Sequence, residues 1–273
     1  MFRILLLGSS GYIGSHILNI LKDEPSFTIL SPSSKELDLK SKISISTFFF
    51  HHVYIDIVLY SVIDKKNKSI DSNICMLQNL LLHKNKFNQL VYLSSRSVYD
   101  SFGNYHLINP ISPLSIPTEN MSLYGQLKIQ EERFLVAQFP KCIILRLFDT
   151  FSDDFINDST LKRWMYAYKL NLQIPNELLS PIHVEDAAYI IKEIIKLPIA
   201  CGSILNICGS EHVLSSNILS QTLDFQNLKF TRFKEKTGLA FLPNNFNCRS
   251  WKQCFESFIF KSKFGNDFSN RTS

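Results

Sequence analysis

The sequence predicts an α/β fold, a doubly wound parallel sheet with a smaller carboxy-terminal region, on three observations. Short apolar runs alternate with longer amphipathic stretches through the first half of the chain. Glycine is scarce, at nine residues, yet three of the nine stand at Gly8, Gly11 and Gly14, directly after the first apolar run. A chain of 273 residues, 45% apolar and 19% charged, has enough apolar surface for one sizeable core with a small appendage.

Taken in order, Phe2 to Leu7 reads as a buried strand and Gly14 to Lys22 as a helix with Ile13, Ile17, Leu18 and Leu21 on one face. Phe27 to Leu30 is a short second strand, stopped by Ser31 and Pro32. Phe48 to Phe50, His51 and His52 read as helix end and core. Strands follow at Ile55 to Val62, Leu90 to Ser94 and Cys142 to Phe148, separated by helices over Asn73 to His83 and Leu123 to Phe139. Such alternation sets a parallel sheet between two helical layers. Beyond it come weaker helices at Leu161 to Tyr168 and Val184 to Lys196, and a strand at Ser203 to Ile207. From Lys229 onward no organisation is readable, and Lys261 to Ser273 is polar enough to fray.

Composition excludes several classes. Mean hydropathy is +0.01, and no uninterrupted apolar run approaches the roughly 18 residues of a membrane span. The first run ends at Gly8 without a cleavage site, so no signal peptide is expected and the chain reads as cytoplasmic. Cys75, Cys142, Cys201, Cys208, Cys248 and Cys254 form no C-x-x-C pair and mostly sit in apolar segments. They read as reduced core thiols, with neither a disulfide framework nor a metal site. The net charge of +5 comes from dispersed basic residues with one short cluster at Lys65, Lys66 and Lys68. Nucleic acid is not the expected partner, whereas a small anion suits such a surface.

Leu5-Leu6-Leu7-Gly8-Ser9-Ser10-Gly11-Tyr12-Ile13-Gly14-Ser15 is a strand, a glycine turn and a helix start. A pyrophosphate needs close backbone approach, free N–H groups and the positive end of a helix dipole, and this order supplies all three. At the first strand of an alternating α/β chain, the pattern points to a dinucleotide. No acidic residue ends the second strand, where a carboxylate would hold the ribose hydroxyls of NAD. Leu30-Ser31-Pro32-Ser33-Ser34-Lys35 offers hydroxyls and a lysine instead, which suits the 2′-phosphate of NADP; an ordinary polar loop is the alternative.

Tyr124 and Lys128 lie four residues apart, on one face of a helix. About one such Tyr-x-x-x-Lys spacing arises by chance in this composition, so context carries the reading. Tyr124 follows a polar, proline-containing loop, and Ser94-Ser95 closes an apolar strand at the sheet edge where open α/β folds bind ligands. Ser95, Tyr124 and Lys128 together suit hydride transfer at a carbonyl. A nearby ammonium favours the phenolate, lowering a pKa of about 10 by roughly 1 to 3 units. Tyr124 then exchanges a proton with the substrate oxygen, which Ser95 hydrogen-bonds. Taken singly, the three also fit a core tyrosine, a surface lysine and a serine capping a strand.

These residues, in this order, resemble the extended short-chain dehydrogenases/reductases, also called the NAD-dependent epimerase/dehydratase family. The likeness runs from Ile4 to about Leu219. It takes in the glycine turn, Glu36-Leu37-Asp38-Leu39, Asp56 to Ser61, Asn73, Val91 to Tyr99 and Tyr124 to Lys128 with Glu132. Leu145 to Asp149, Pro181 to Asp186 and Leu205-Asn206-Ile207 complete it. The resemblance implies a Rossmann domain over 1–150 and a smaller substrate-binding region over 151–273, partly interleaved with it. It implies a nucleotide-sugar substrate, a place in surface-polysaccharide assembly, and a homodimer built through the helices that carry Asn73 and Tyr124. Coenzyme contacts fall to Gly8, Ser10, Gly11, Tyr12, Ile13 and Gly14 at the phosphates, Ser33 and Lys35 at the 2′-phosphate, and Asp38 and Leu39 at adenine. Leu59, Tyr60, Ser61 and Asn73 line the sheet edge, and Tyr124 and Lys128 meet the nicotinamide end. Ser95, Arg96, Ser97 and Arg163 face the substrate, though Arg163 and its neighbour Lys162 also fit a solvated helix face. His183 matches a family position that is more often structural than catalytic.

Departures from the family narrow the reaction. Its dehydratases carry an Asp-Glu pair after the catalytic Ser or Thr, where this chain has Arg96 and Ser97. Its 3,5-epimerising reductases place a cysteine where Ser97 stands. Two hydride-transfer reactions remain: reduction of a nucleotide-diphospho-4-keto-6-deoxy sugar by exchangeable NADPH, favoured by the Lys35 loop, and reversible 4-epimerisation with retained NAD. A non-catalytic nucleotide sensor is a third reading, and the presence of both Tyr124 and Lys128 speaks against it.

Overall fold

The computed structural model describes residues 1–52, 54–64, 69–102, 107–108, 110–152, 166–167, 170, 172–173, 177–197, 201–222, 239–240 and 248–250. The first elements are β1 (Phe2–Leu7), α1 (Tyr12–Leu21), β2 (Phe27–Leu30), α2 (Lys42–His51), β3 (Ile55–Tyr60), α3 (Ile70–Leu81) and β4 (Phe87–Ser95). They are followed by α4 (Leu123–Gln138), β5 (Ile143–Leu147), α5 (Val184–Lys196), β6 (Ile204–Ile207) and α6 (Ser215–Thr222). The six strands form one sheet in the order β6-β5-β4-β3-β1-β2, and every pairing is parallel. This is the Rossmann architecture. The last four residues of β1 are buried on both faces, as a central parallel strand requires.

Because all strands run the same way, Leu7, Leu30, Tyr60, Ser95, Leu147 and Ile207 end on one edge. Strand order reverses between β1 and β3, where Leu7 pairs with Tyr60. Diverging connections leave a crevice at such a point, and ligands of open α/β sheets bind there.

The chain divides into two compact units. The first, Met1–Ser101, Asn109–Leu147 and Ala187–Ile207, holds the sheet and the helices α1 to α4. The second, Phe102–Ile108, Phe148–Asp186 and Cys208–Ser273, shows three two-residue ladders among its described residues. The expected helix at Leu161 to Tyr168 falls mostly outside the described residues, as do Lys65, Lys66, Lys68, Lys162, Arg163, Cys254 and the polar tail. No helix among the described residues is long and apolar enough to cross a membrane.

Two local expectations change. Lys42–His51 forms a full helix, capped by Ser41, which accepts from Ser44 N–H. Its Ser-rich, β-branched sequence hides the helical period. Phe49 enters the core there, but Phe50 is 81% exposed, so the phenylalanine run is only partly core. Cys75 and Cys201 are exposed while Cys142 and Cys208 are buried, so the core reading of the thiols holds for only part of the set.

Candidate active site

The glycines of the β1–α1 turn do three different jobs. Gly8 has φ +89°, and a Cβ on it would lie 2.3 Å from the Ser61 carbonyl oxygen. A Cβ on Gly14 would lie 2.1 Å from the Gly8 carbonyl oxygen, so α1 packs on the turn only with glycine there. Gly11 is different. It is extended, at φ −78° and ψ 167°, and a Cβ on it would meet only the Gly8 oxygen, at 3.2 Å. Gly11 is also the N-cap of α1, with no side-chain cap and no acidic residue in the first turn. The positive end of the α1 dipole therefore carries no competing acid, and bare backbone at Gly11 allows an anion to approach it. A pyrophosphate fits this cradle.

The loop after β2 is more acidic than its sequence suggests. Ser33 donates its N–H at 2.7 Å and its hydroxyl at 2.8 Å to the Glu36 carboxylate. Those bonds hold the Glu36 carboxyl below its ordinary range. Lys35 is exposed, and Leu39 is buried beside the exposed Asp38, whose carboxylate accepts from Lys40 N–H. Asn73 is buried and acts on the backbone: its amide oxygen accepts from Asp64 N–H and its amide donates to the Ser69 carbonyl. It ties the chain leaving β3 to the start of α3. Leu59 and Tyr60 are fully buried, so only the half-buried Ser61 of that trio carries accessible surface.

Ser95 ends β4 and caps the short turn Arg96–Tyr99, accepting from Ser97 N–H at 3.2 Å. Arg96 and Ser97 are half-buried in that turn. Helix α4 starts at Ser122, whose hydroxyl accepts from Gly125 N–H and donates to Asp100. A Cβ on Gly125 would lie 2.4 Å from the Ser97 carbonyl oxygen. That glycine lets the first turn of α4, with Tyr124, press against the turn that follows Ser95. Its place inside Tyr124-Gly125-Gln126-Leu127-Lys128 was the available signal, but spacing alone does not reveal it. Tyr124 is 44% exposed, whereas Lys128 is buried.

The Lys128 ammonium stands 2.9 Å from Tyr92 Oη, 3.2 Å from the Leu93 carbonyl oxygen and 3.3 Å from Glu131 Oε2. Burial opposes its charge, but Glu131 and then the Tyr124 phenol outweigh burial and hold its pKa above the ordinary value. One turn on, Glu132 takes a two-pronged contact from the fully buried Arg146 on β5, at 3.1 and 2.6 Å. Arg146 also donates to Tyr99 Oη, which donates to Asn206 on β6. Four elements that frame the site are thus tied by one buried network. Sequence reading took in Tyr92, Glu132 and Arg146 through the resemblance but passed over Glu131, since a buried acid on a helix looks like any surface acid.

In the second unit, His183 is buried and accepts from Glu185 N–H, while Glu185 and Asp186 both pair with Arg249. Arg163 lies outside the described residues.

A family model described as the NAD dependent epimerase/dehydratase family matches residues 4–208. A dTDP-4-dehydrorhamnose reductase of Aggregatibacter actinomycetemcomitans is 29% identical over 163 residues, which take in 56% of this chain and 53% of that protein. The chain spans about half the length of the curated relatives it matches. A dTDP-glucose 4,6-dehydratase of Bacillus anthracis, solved with NAD, aligns at TM-score 0.71 and 14% identity over 97% of this chain and 98% of its own. A dTDP-4-dehydrorhamnose reductase of the same organism, solved with NADP, aligns at 0.68 and 18% over 96% and 99%. At such identities these two structures establish the fold.

Proposed function

Since the chain belongs to the NAD-dependent epimerase/dehydratase family, we propose that it is a cytoplasmic oxidoreductase that reduces a nucleotide-diphospho-4-keto-6-deoxy sugar for surface-polysaccharide assembly. The observation that carries this reading is the contact of Gly125 with Ser97, which brings the helix of Tyr124 and Lys128 against the turn capped by Ser95. A bound nicotinamide supplies the hydride. Gly11 and the opening N–H groups of α1 hold its pyrophosphate. The Tyr124 hydroxyl gives its proton to the C4 oxygen of the sugar, and Ser95 donates a hydrogen bond to the same oxygen. Lys128 stays charged beneath them and favours the phenolate that remains. Arg96 and Ser97 hold the sugar.

Lys35 carries the preference for NADPH largely alone, because Ser33 is engaged with Glu36. The same carboxylate supports a second reading, 4-epimerisation with retained NAD, by offering an acceptor for ribose hydroxyls. A homodimer through α3 and α4 accompanies either reading; light scattering at the mass of two chains tests it.

The experiment is coenzyme titration followed by assay on 4-keto-6-deoxy sugar nucleotides. NADPH-dependent reduction is expected, and Tyr124→Phe should lose roughly 10²- to 10⁴-fold in turnover while binding NADPH as before. Full activity in that variant refutes the assignment. NAD released on denaturing the purified protein decides for the epimerase.

A further inference from the structure

Lys128 is held from below more firmly than its role in the site requires. An ammonium has three N–H donors, and three protein acceptors surround this one: Tyr92 Oη, the Leu93 carbonyl and Glu131 Oε2. Tyr92 in turn donates to Glu131 Oε2 at 2.5 Å, closing a triangle of ammonium, phenol and carboxylate. Glu131 has no exposed surface, and the Tyr60 ring lies 5.9 Å from that of Tyr92. Well-packed apolar side chains in place of a buried ion pair are often as stable or more so, so stability alone does not account for the triangle. A lysine that reaches a coenzyme must exchange one of its three contacts, and the strength of those contacts decides how readily it does so.

We propose that Glu131, directly and through Tyr92, is a positioning residue that keeps Lys128 charged and sets the reach of its ammonium toward the coenzyme ribose. The proposal rests on the reading of Lys128 as part of a hydride-transfer site. The groups that face Lys128 are Tyr124, Glu131 and Glu132 on its own helix and Tyr92 on β4, while Tyr60 on β3 feels Glu131. Glu132 is already committed to Arg146. Glu131→Gln therefore leaves the ammonium buried with no uncommitted anion beside it, and its proton is lost at lower pH.

Protein carrying ε-¹³C lysine, with the Lys128 signal assigned by Lys128→Met, reports that proton directly. In the wild type Lys128 should stay charged beyond the ordinary lysine range, whereas in Glu131→Gln its midpoint should fall by roughly 1 to 3 units. The NADPH dissociation constant of Glu131→Gln should then rise with pH where that of the wild type is flat, with kcat falling more than KM for the sugar changes. Glu131→Asp should restore the midpoint. An unchanged Lys128 titration in Glu131→Gln overturns the proposal. Should that variant not fold, Tyr92→Phe removes a contact from both partners without stranding a charge. It should shift the Lys128 resonance and weaken NADPH several-fold, and no change in either also overturns the proposal. Lys128→Met that binds NADPH and turns over like the wild type would sink the hydride-transfer reading itself, a separate outcome.

Discussion

Adding one methyl group at Gly11 or at Gly14 separates coenzyme binding from folding within a single turn. At Gly14 the new carbon would sit 2.1 Å from a backbone oxygen that belongs to the same turn, so the helix must move off the strand. Overpacking of this kind costs about 1 to 3 kcal/mol. For a chain of this size each kcal/mol lowers Tm by about 2 to 4 °C, which gives a drop of about 2 to 12 °C. At Gly11 the new carbon meets a single oxygen at 3.2 Å and the backbone is already in a region open to any residue. Loss of a good N-cap residue costs a few tenths of a kcal/mol or more, and reduced freedom of the unfolded chain returns about 0.4 to 1 kcal/mol, so stability should hardly change. The methyl group nevertheless occupies the face that a pyrophosphate approaches. Gly11→Ala, and more strongly Gly11→Val, should weaken NADPH at least tenfold in a fluorescence titration while thermal unfolding stays near wild type. Gly11→Ala that unfolds as early as Gly14→Ala yet binds NADPH normally would show that the cradle has been misread.

The buried network should be costly to break at one end. Glu132→Gln leaves the Arg146 guanidinium without its anion, and urea unfolding should report a loss of about 3 to 5 kcal/mol, most of it recovered in Glu132→Leu with Arg146→Met; a loss confined to a few tenths contradicts the role assigned to the pair. His83 and His212 are both held below the ordinary histidine pKa, chiefly by burial. A depressed histidine binds its proton more readily once unfolded, so its contribution is present above about pH 6.5 and lost as pH falls through the folded value. The urea midpoint should therefore fall below about pH 6.5, and His83→Gln should flatten that fall, a flat profile in the wild type being the contrary result. Burial pushes the Cys208 thiol up to about 12, and Cys142 is buried as well. A thiol reagent applied to folded protein at neutral pH should label Cys75 and Cys201 first; peptide mapping that finds Cys142 labelled early would contradict the packing of β5.

What was legible in the sequence follows from what each residue depends on. β1, the glycine turn and α1 are decided by neighbours in the chain: an apolar run with no room for polar groups, then three glycines whose spacing is itself the geometry. The placement of Ser95 at a strand end and of Tyr124 and Lys128 on one helix was also readable, from strand end and period. α2 was not, since Lys42-Ile43-Ser44-Ile45-Ser46-Thr47 has neither helical propensity nor a clear apolar face, and only packing of Ile45 and Phe49 makes it a helix. The part played by the Glu36 carboxylate, and Glu131 altogether, were missed for a related reason. A carboxylate's role depends on which distant or neighbouring donor meets it, Ser33 in one case and Tyr92 with Lys128 in the other. On the proposed function both bear on chemistry: Glu36 adds charge at the ribose end of the cradle, and Glu131 stands beside the lysine at the other. On the proposed function, acids that motif spacing does not include stand at both ends of the coenzyme site, and coenzyme choice and lysine protonation should respond to Glu36 and Glu131 independently. Glu36→Gln should move the NADPH to NADH preference without altering the Lys128 resonance, and Glu131→Gln should do the reverse.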